Sequence, residues 1–248
     1  MTSVIEIDLV SATTTRPSAA MLAQMTSAPV GDEQKNEDPT TCALDERVAD
    51  LFGMEAVVFL PSGTMCNQIS FLVHCRSGDE IVAAANAHVV ASEGVGAAAL
   101  AGAQMRPIET PTGIFEAADM VAALRRPRMR SLRSSTVSVE QTTNRGGGLV
   151  WPVETLSALT KAAHENGLAT HMDDAHLLNA AVASGRPAKD FTAGFDSAWI
   201  DLSKGLGCPV GAVLAGFRDF IEAAWVWKHR LGGALRQSGC WPQQISLR

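Results

Sequence analysis

The sequence predicts an α/β fold built on a mainly parallel sheet with helices on both of its faces. Short apolar runs typical of buried strands alternate along the chain with segments of helical periodicity. Short polar or glycine-containing connections separate these segments, without an internal repeat or a long linker. With 248 residues, of which 46% are hydrophobic and 19% charged, the chain is long enough for one large domain of this class.

Seven apolar runs predict the strands of this sheet. They are residues 56–60, 81–84, 104–108, 134–140, 168–172, 196–202 and 211–214.

Helical patterns occupy the segments between the strands. Pro17 suits the first turn of a short N-terminal helix, with Met21, Leu22 and Met25 on its apolar face. The polar stretch from 31 to 39 predicts a loop. The further predicted helices are 41–52, 65–74, 89–100, 117–125, one that Pro152 begins and Gly167 ends, and 217–229.

Composition and charge disfavour several classes of function. The formal net charge of −6 gives no reason to expect nucleic acid or an anionic membrane as a partner. The basic run from Arg125 to Arg133 lacks aromatic residues and is typical of a solvated helix end and loop. No apolar run approaches bilayer length without a charge, and the first ten residues do not resemble a signal peptide. The five cysteines lack CxxC spacing, which favours reduced thiols in a cytoplasmic protein.

Lys204 follows the strand at 196–202 on a turn that contains Gly205 and Gly207. A lysine at the rim of an apolar sheet is partly desolvated, which makes its free amine more available for a Schiff base with a carbonyl. On its own, a Ser-Lys-Gly turn is more often a surface lysine after an edge strand. The other candidate residues described below are needed to choose between these two interpretations.

The turn Ser62-Gly63-Thr64 leads from a strand into a helix. Exposed backbone N–H groups, the helix dipole and two hydroxyls can bind a phosphate there. The alternative is simple capping of the helix by a hydroxyl, and taken alone this alternative is favoured.

Asp173 and His88 also follow predicted strands. The carboxylate of Asp173 could keep the ring nitrogen of an aromatic cofactor protonated, although it could equally cap the next helix. His88 could stack on a flat ring or move a proton, but a single histidine more often satisfies a loop hydrogen bond. A metal site of His171, Asp173, Asp174 and His176 matches no known ligand spacing, so we predict no metal.

These candidates all lie where parallel strands end, which is where ligands bind in open α/β sheets. Their order along the chain is a phosphate-binding turn, a carboxylate for a ring nitrogen and a lysine, and this order describes a pyridoxal phosphate site. The chain resembles the threonine aldolases of the β-eliminating lyase group, which have the aspartate-aminotransferase-like fold. The matching stretches are Asp8-Leu9-x-Ser11, Gly31-Asp32 with 37–40, 61–68, 144–148, His171-Met172-Asp173, 203–211 and Leu231-Gly232-Gly233-x-x-Arg236-Gln237.

The resemblance implies the large domain of a fold-type-I pyridoxal phosphate enzyme and assigns roles to its residues. Lys204 binds the cofactor, Asp173 pairs with its pyridine nitrogen, and the residues Ser62, Gly63 and Thr64 hold its phosphate. The implied reaction is the cleavage of a β-hydroxy-α-amino acid such as L-threonine to glycine and an aldehyde.

Further roles concern the substrate and the assembly. His88 stacks on the cofactor ring and is our candidate for the base that takes the β-hydroxyl proton, with Glu93 behind it. Ser11 contacts the substrate carboxylate, and Arg236 reaches the phosphate of a neighbouring subunit. The resemblance therefore also implies a homo-oligomer, either a dimer or a tetramer.

Three departures from the family pattern concern substrate binding. The family sequence Gly-Ala-Arg appears here as Asp174-Ala175-His176, and a histidine cannot reproduce the forked, permanent cation of arginine. We expect Asp174 to add a negative charge beside the substrate carboxylate. A family tyrosine is replaced by Lys35, and a family histidine is replaced by Thr143.

The domain prediction is an N-terminal arm at 1–30 and a cofactor-binding domain at 31–248, without the family's C-terminal small domain. We therefore expect weak or absent aldolase activity from this chain. The alternatives are another pyridoxal phosphate reaction, such as elimination or racemisation, and a non-catalytic remnant.

Overall fold

Seven strands form a single sheet in the computed structural model, which describes residues 10–125 and 129–240. Asp8 and Leu9 of the N-terminal motif and residues 126–128 of the basic run lie outside the described residues, as do 241–248. The strands are β1 Ala56–Leu60, β2 Glu80–Ala84, β3 Gln104–Ile108, β4 Ser134–Glu140, β5 Ala169–Asp174, β6 Ser197–Asp201 and β7 Ala212–Gly216.

The strand order across the sheet is β1-β7-β6-β5-β4-β2-β3. The neighbouring pairs from β6 to β3 are all parallel, whereas β7 runs antiparallel to both β1 and β6. The prediction of a mainly parallel sheet is therefore confirmed. The central strands β4, β5 and β6 end side by side, with Glu140 paired to Asp173 and Asp173 paired to Trp199.

Helices cover both faces of the sheet, as predicted. One apolar cluster joins Val58 and Leu60 of β1 to residues on the third and last helices, while the intervening Phe59 belongs to the larger cluster on the opposite face. This alternation follows from the two-residue period of a strand. The helices are α1 Ala19–Ser27, α2 Pro39–Phe52, α3 Gly63–His74, α4 His88–Ala91, α5 Ala117–Ala123, α6 Val153–Glu165, α7 Leu177–Ser184, α8 Ala188–Thr192 and α9 Arg218–Arg230.

The predicted helix at 89–100 is wrong as one continuous element. It is divided into the short α4 and a π-helical turn at Ala97–Ala101. Gly94 and Val95 between them adopt φ angles of 59° and 61°, which a right-handed helix cannot accommodate. The break places Glu93 in a buried position next to α3, where it matters for the site described below.

Other elements differ from prediction at their ends or in their packing. Leu22 of α1 is 49% exposed, so it does not belong to the apolar face with Met21, which packs on the core. The predicted loop at 31–39 contains a short 3₁₀ turn, Glu33–Lys35, whose Glu33 is buried against Lys228. None of the helices in the described parts of the chain is both long enough and apolar enough to cross a bilayer.

Candidate active site

A cavity of about 320 Å³ opens where β4, β5 and β6 end. Seven of the nine site residues predicted from the sequence line it, and Ser11 and Arg236 are the two that do not. The seven residues are Ser62, Gly63, Thr64, His88, Asp173, His176 and Lys204.

The turn into α3 forms one wall of the cavity. The Oγ atom of Ser62 accepts a hydrogen bond from the N–H of Met65 at 3.2 Å, so Ser62 caps the helix as the simpler alternative predicted. A Cβ atom on Gly63 would lie 2.1 Å from the ring of Trp199, so only glycine fits there. The unpaired N–H groups of the first turn and the exposed hydroxyl of Thr64 form an end suited to an anion.

Asp173 is buried at the end of β5. Its Oδ2 atom accepts a hydrogen bond of 3.0 Å from the side-chain amide of Asn67. Burial, followed by the nearby negative charges of Glu93 and Glu140, raises the pKa of the Asp173 carboxyl to about 7. Among the described residues Asp173 makes no ion pair with a lysine or arginine, so a cationic N–H group placed beside it would stabilise its charged form.

His88 begins α4, and its Nδ1 atom lies 3.0 Å from Oε1 of Glu93. The hydrogen bond to Glu93 raises the pKa of His88, against an opposing effect of burial. Because the Glu93 carboxylate accepts, Nδ1 carries the proton and Nε2 is the nitrogen left to act as a base. The sequence predicts Glu93 as the residue that supports His88, and in the structure the two side chains are in contact.

Asn67 is a site residue that sequence reasoning missed. It lies within a stretch that resembles the family, but it received no role of its own. Its side chain is buried and contacts Glu93 and Asp173 on one side, and Trp199 and His171 on the other. The only signal that could have indicated it was an amide five residues after Ser62, the cap of a helix whose first turn faces the cavity.

Lys204 lies on the turn after β6, and its side chain is 21% exposed. Its Nζ atom is 3.4 Å from Oδ2 of Asp201, a second residue that the sequence did not indicate. Asp201 also accepts hydrogen bonds from the N–H and hydroxyl of Ser203, which order this turn. Asp173 lies near the end of β5, Lys204 follows the adjacent parallel strand β6, and both line the same cavity.

His176 lines the cavity, but Asp174 does not. Burial, followed by the charge of Lys204, lowers the pKa of His176, so its imidazole is neutral at pH 7. Asp174 follows Asp173 directly and therefore points to the other face of β5. It is fully buried, and neither carboxyl oxygen has a hydrogen-bond partner among the described residues.

Burial, with a smaller effect of Asp173, raises the pKa of Asp174 well above its usual range. The prediction that Asp174 adds a negative charge beside the substrate is therefore wrong, because burial disfavours the charged form of this carboxyl group and the group does not line the cavity.

Ser11 and Arg236 lie elsewhere in the described chain. Ser11 is exposed and caps the 3₁₀ turn Ala12–Thr14, and it is Thr13 of that turn that reaches the cavity. Arg236 is 61% exposed and pairs with Asp32 at 3.1 Å. Their roles towards substrate and a neighbouring subunit stay predictions.

The residues considered for a metal do not converge. Both ring nitrogens of His171 are already engaged, Nδ1 with Ser197 and Nε2 with Asn67. Asp174 lies on the face of β5 opposite Asp173, which argues only against a metal site of these four residues. The absence of a metal therefore stays a prediction.

The chemical groups of the cavity match those of pyridoxal phosphate. The amine of Lys204 suits its aldehyde, the buried Asp173 suits its ring nitrogen, and the first turn of α3 suits its phosphate. This fit depends on Asp173, whose buried carboxyl group lines the cavity and makes no ion pair with a lysine or arginine of the described residues.

Comparisons with known proteins agree with this geometry. A family model described as Beta-eliminating lyase matches residues 8–245. The low specificity L-threonine aldolase of Escherichia coli is 43% identical over 234 residues, which are 94% of this chain and 69% of that protein. The probable low-specificity L-threonine aldolase 2 of Arabidopsis thaliana is 37% identical over 242 residues, covering 96% of this chain and 68% of that protein.

Solved structures support the fold. A putative L-allo-threonine aldolase from Listeria monocytogenes superposes with a TM-score of 0.79 at 24% identity, over 91% of this chain and 62% of that chain. The Leishmania major threonine aldolase gives a TM-score of 0.81 at 19% identity, over 93% and 68% of the two chains. The chain thus spans about two thirds of the length of these relatives, and the predicted α/β fold is confirmed.

Proposed function

The chain belongs to the beta-eliminating lyase family, and we propose that it catalyses the pyridoxal-phosphate-dependent cleavage of β-hydroxy-α-amino acids such as L-threonine. The products are glycine and an aldehyde. The observation that carries this proposal is that Lys204 and the buried Asp173 line one cavity from adjacent strands. The low specificity L-threonine aldolase of Escherichia coli, at 43% identity, supports the choice of reaction.

Four parts of the cavity would hold the cofactor within the domain at 31–248. Lys204 would bind its aldehyde carbon, and Asp173 would accept a hydrogen bond from its ring nitrogen. Ser62, Gly63 and Thr64 would hold the phosphate, and the imidazole of His88 would stack on the ring. When bound, pyridoxal phosphate supplies an electron sink for the electron pair that the breaking Cα–Cβ bond leaves behind.

His88 removes the proton from the β-hydroxyl of the substrate through Nε2. Glu93 holds the opposite nitrogen at 3.0 Å, so the ring keeps its orientation as it gains the proton. The buried negative charge of Glu93 also stabilises the imidazolium that forms. Asp173 would contribute by favouring a positive charge on the ring nitrogen of the cofactor.

Binding of the substrate carboxylate is the weakest part of this site. His176 lies where it can contact the substrate, but as a neutral imidazole it offers at most one hydrogen bond to a carboxylate. We therefore propose weak substrate affinity and low activity, with Ser11 as a further contact from the N-terminal arm.

The assembly proposed is a cytoplasmic homo-oligomer, either a dimer or a tetramer. Arg236 is exposed and away from the cavity of its own chain, as a residue that serves a neighbouring subunit would be. The five cysteines are free, which is compatible with a reducing compartment.

The purified chain, mixed with pyridoxal phosphate, tests this function. We expect a visible absorbance band, covalent attachment to Lys204 after borohydride reduction, and slow formation of glycine and acetaldehyde from L-threonine. The variant Lys204→Arg should lose the band and the label, whereas Lys189→Arg, at an exposed position, should keep both. Label on another lysine, or a colourless preparation at saturating cofactor, would contradict the proposal.

A further inference from the structure

The side chain of Asn67 uses all of its hydrogen-bonding positions inside the protein. Its Nδ2 atom donates to Oε1 of Glu93 at 2.7 Å and to Oδ2 of Asp173 at 3.0 Å. Its Oδ1 atom accepts from Nε1 of Trp199 at 2.7 Å and from Nε2 of His171 at 2.9 Å. Asn67 is therefore the only described residue whose side chain bonds to both Glu93 and Asp173.

The orientation of this amide is determined by its neighbours. The indole N–H of Trp199 can only donate, so the atom that faces it must be the oxygen of Asn67. The NH₂ group then faces the two carboxylates. A flipped amide would place its oxygen against both carboxylates and its NH₂ group against the indole N–H, and every one of these contacts would be repulsive.

A second buried chain of hydrogen bonds supports the same orientation. Because Oδ1 of Asn67 accepts, Nε2 of His171 carries a proton. Burial lowers the pKa of His171 well below its usual range, so the ring is neutral and its Nδ1 accepts from the Ser197 hydroxyl at 2.8 Å. His74, whose Nε2 lies 2.8 Å from the same hydroxyl, must then donate to it. Every donor and acceptor from His74 to Asn67 thus has one consistent assignment.

We propose that Asn67 is a positioning residue that holds the carboxylates of Asp173 and Glu93 side by side and thereby sets the position of His88. Asp173 and Glu93 repel one another as anions, and one NH₂ group placed between them offers each a hydrogen bond. Asp173 would accept a hydrogen bond from the ring nitrogen of the cofactor, and Glu93 contacts the Nδ1 atom of His88. One amide therefore coordinates the acceptor for the cofactor with the base for the substrate, and this inference rests on the proposed function.

The variant Asn67→Asp tests the donor specifically. It keeps an oxygen for Trp199 and His171 but replaces the NH₂ group with a second oxygen. The side chain then becomes a third carboxyl group beside those of Asp173 and Glu93. We expect pyridoxal phosphate to bind about tenfold to a hundredfold more weakly, because buried acceptors lose their donor. The loss should be larger at about pH 9 than at about pH 6, since the new carboxyl can donate only while it is protonated.

The variant Ser70→Ala is a matched control. Ser70 is buried in the same helix, and among the described residues its hydroxyl bonds only to the carbonyl of Cys66. Its removal should leave the affinity for pyridoxal phosphate and its pH dependence unchanged. A Ser70→Ala variant that loses affinity as Asn67→Asp does would show that any damage to α3 suffices, and it would overturn the positioning role.

Two measurements on cofactor-free protein separate this inference from the proposed function. Carbon-13 NMR of the carboxyl groups should show Asp173 titrating at higher pH in Asn67→Asp than in the unaltered chain, with Glu93, Glu140, His88 and Lys204 as the charged groups that face it. Nitrogen-15 NMR of the unaltered chain should show His171 as a neutral ring protonated at Nε2. An Asp173 titration that does not move, or a His171 protonated at Nδ1, would overturn the inference even if the chain binds cofactor. If the chain binds no cofactor, the proposed function fails and these two measurements still decide the role of Asn67.

Discussion

The imidazole of His88 donates from Nδ1 to the buried carboxylate of Glu93 at 3.0 Å, and this contact joins the first residue of the short helix α4 to the turn that follows the helix. Glu93 itself accepts two more hydrogen bonds, from Asn67 and from Gln68 at 2.8 Å. A carboxylate that accepts from this many donors is fixed in place. The tautomer and the orientation of His88 therefore follow from the position of Glu93.

Replacing Glu93 with glutamine should move the pH dependence of the reaction. The hydrogen bond to Glu93 raises the pKa of His88, and the base form of His88 exists only above that pKa. In Glu93→Gln the pKa falls, so the rise of kcat with pH should begin at lower pH, while the maximal kcat falls about tenfold or more because the imidazolium loses its partner. Glu109→Gln, at an exposed position, is the control. If kcat begins to rise at the same pH in Glu93→Gln as in the unaltered chain, His88 is not the base.

Gly63→Ala should destabilise the fold, whereas Gly205→Ala should not. A Cβ atom at Gly63 would come within 2.1 Å of the Trp199 ring, and overpacking of this kind costs about 1–3 kcal/mol. At Gly205 the nearest atom is Oδ1 of Asn179 at 3.6 Å, which is an ordinary contact, so we expect a change below about 0.5 kcal/mol. Urea unfolding of the two variants compares them directly. Equal stability of both would mean that the indole moves aside without cost.

His176→Arg alone should improve substrate binding. A permanent, forked cation in place of the neutral imidazole should lower the KM for L-threonine by about tenfold or more. Asp174→Asn should leave KM unchanged, because the Asp174 carboxyl is buried, its charged form is disfavoured by that burial, and it is absent from the cavity lining. Steady-state kinetics of the two single variants and the double variant separate these effects. If Asp174→Asn lowers KM as much as His176→Arg does, the buried carboxyl carries a charge after all.

Asp45→Asn should flatten the dependence of stability on pH. Burial raises the pKa of Asp45 to about 8, although the Lys228 cation opposes this effect, and Oδ1 has no partner among the described residues. The folded state therefore holds a proton that the unfolded state releases at about pH 4, so stability falls by about 1 kcal/mol per pH unit from there until about pH 8. Unfolding free energies at several pH values should show this slope in the unaltered chain and a smaller one in Asp45→Asn. The exposed Asp50→Asn in the same helix should retain the original slope.

Sequence reasoning located most strands to within one or two residues because their apolar runs end at unmistakable turns. The strands β1, β3 and β4 match their predicted bounds at both ends. The break after α4 was missed because the alanine-rich composition of 97–101 outweighed the two glycines that precede it, Gly94 and Gly96. The alternation of a strand could have assigned Asp174 to the face opposite Asp173, so this error lay in ignoring a signal that was present.

The residues of the candidate site were easier to predict than the contacts between their side chains. Asn67 and Asp173 are 106 positions apart, and no periodic pattern in a single sequence joins them. Lys204, Asp173 and His88 could be selected because each follows a strand of a parallel sheet. Which polar side chain lies between them depends on how α3 packs against β6, and only the folded chain determines this.

Trp199 contacts two separate parts of the cavity wall. Its ring lies against the α-carbon of Gly63 at the mouth of α3, and its N–H holds Asn67 beneath Asp173. A single rigid side chain therefore acts as a common reference point for the phosphate end and the ring end of the same cavity. Attempts to re-engineer either end for a different cofactor or a larger substrate would meet this constraint first, because any tilt of the indole displaces both ends together.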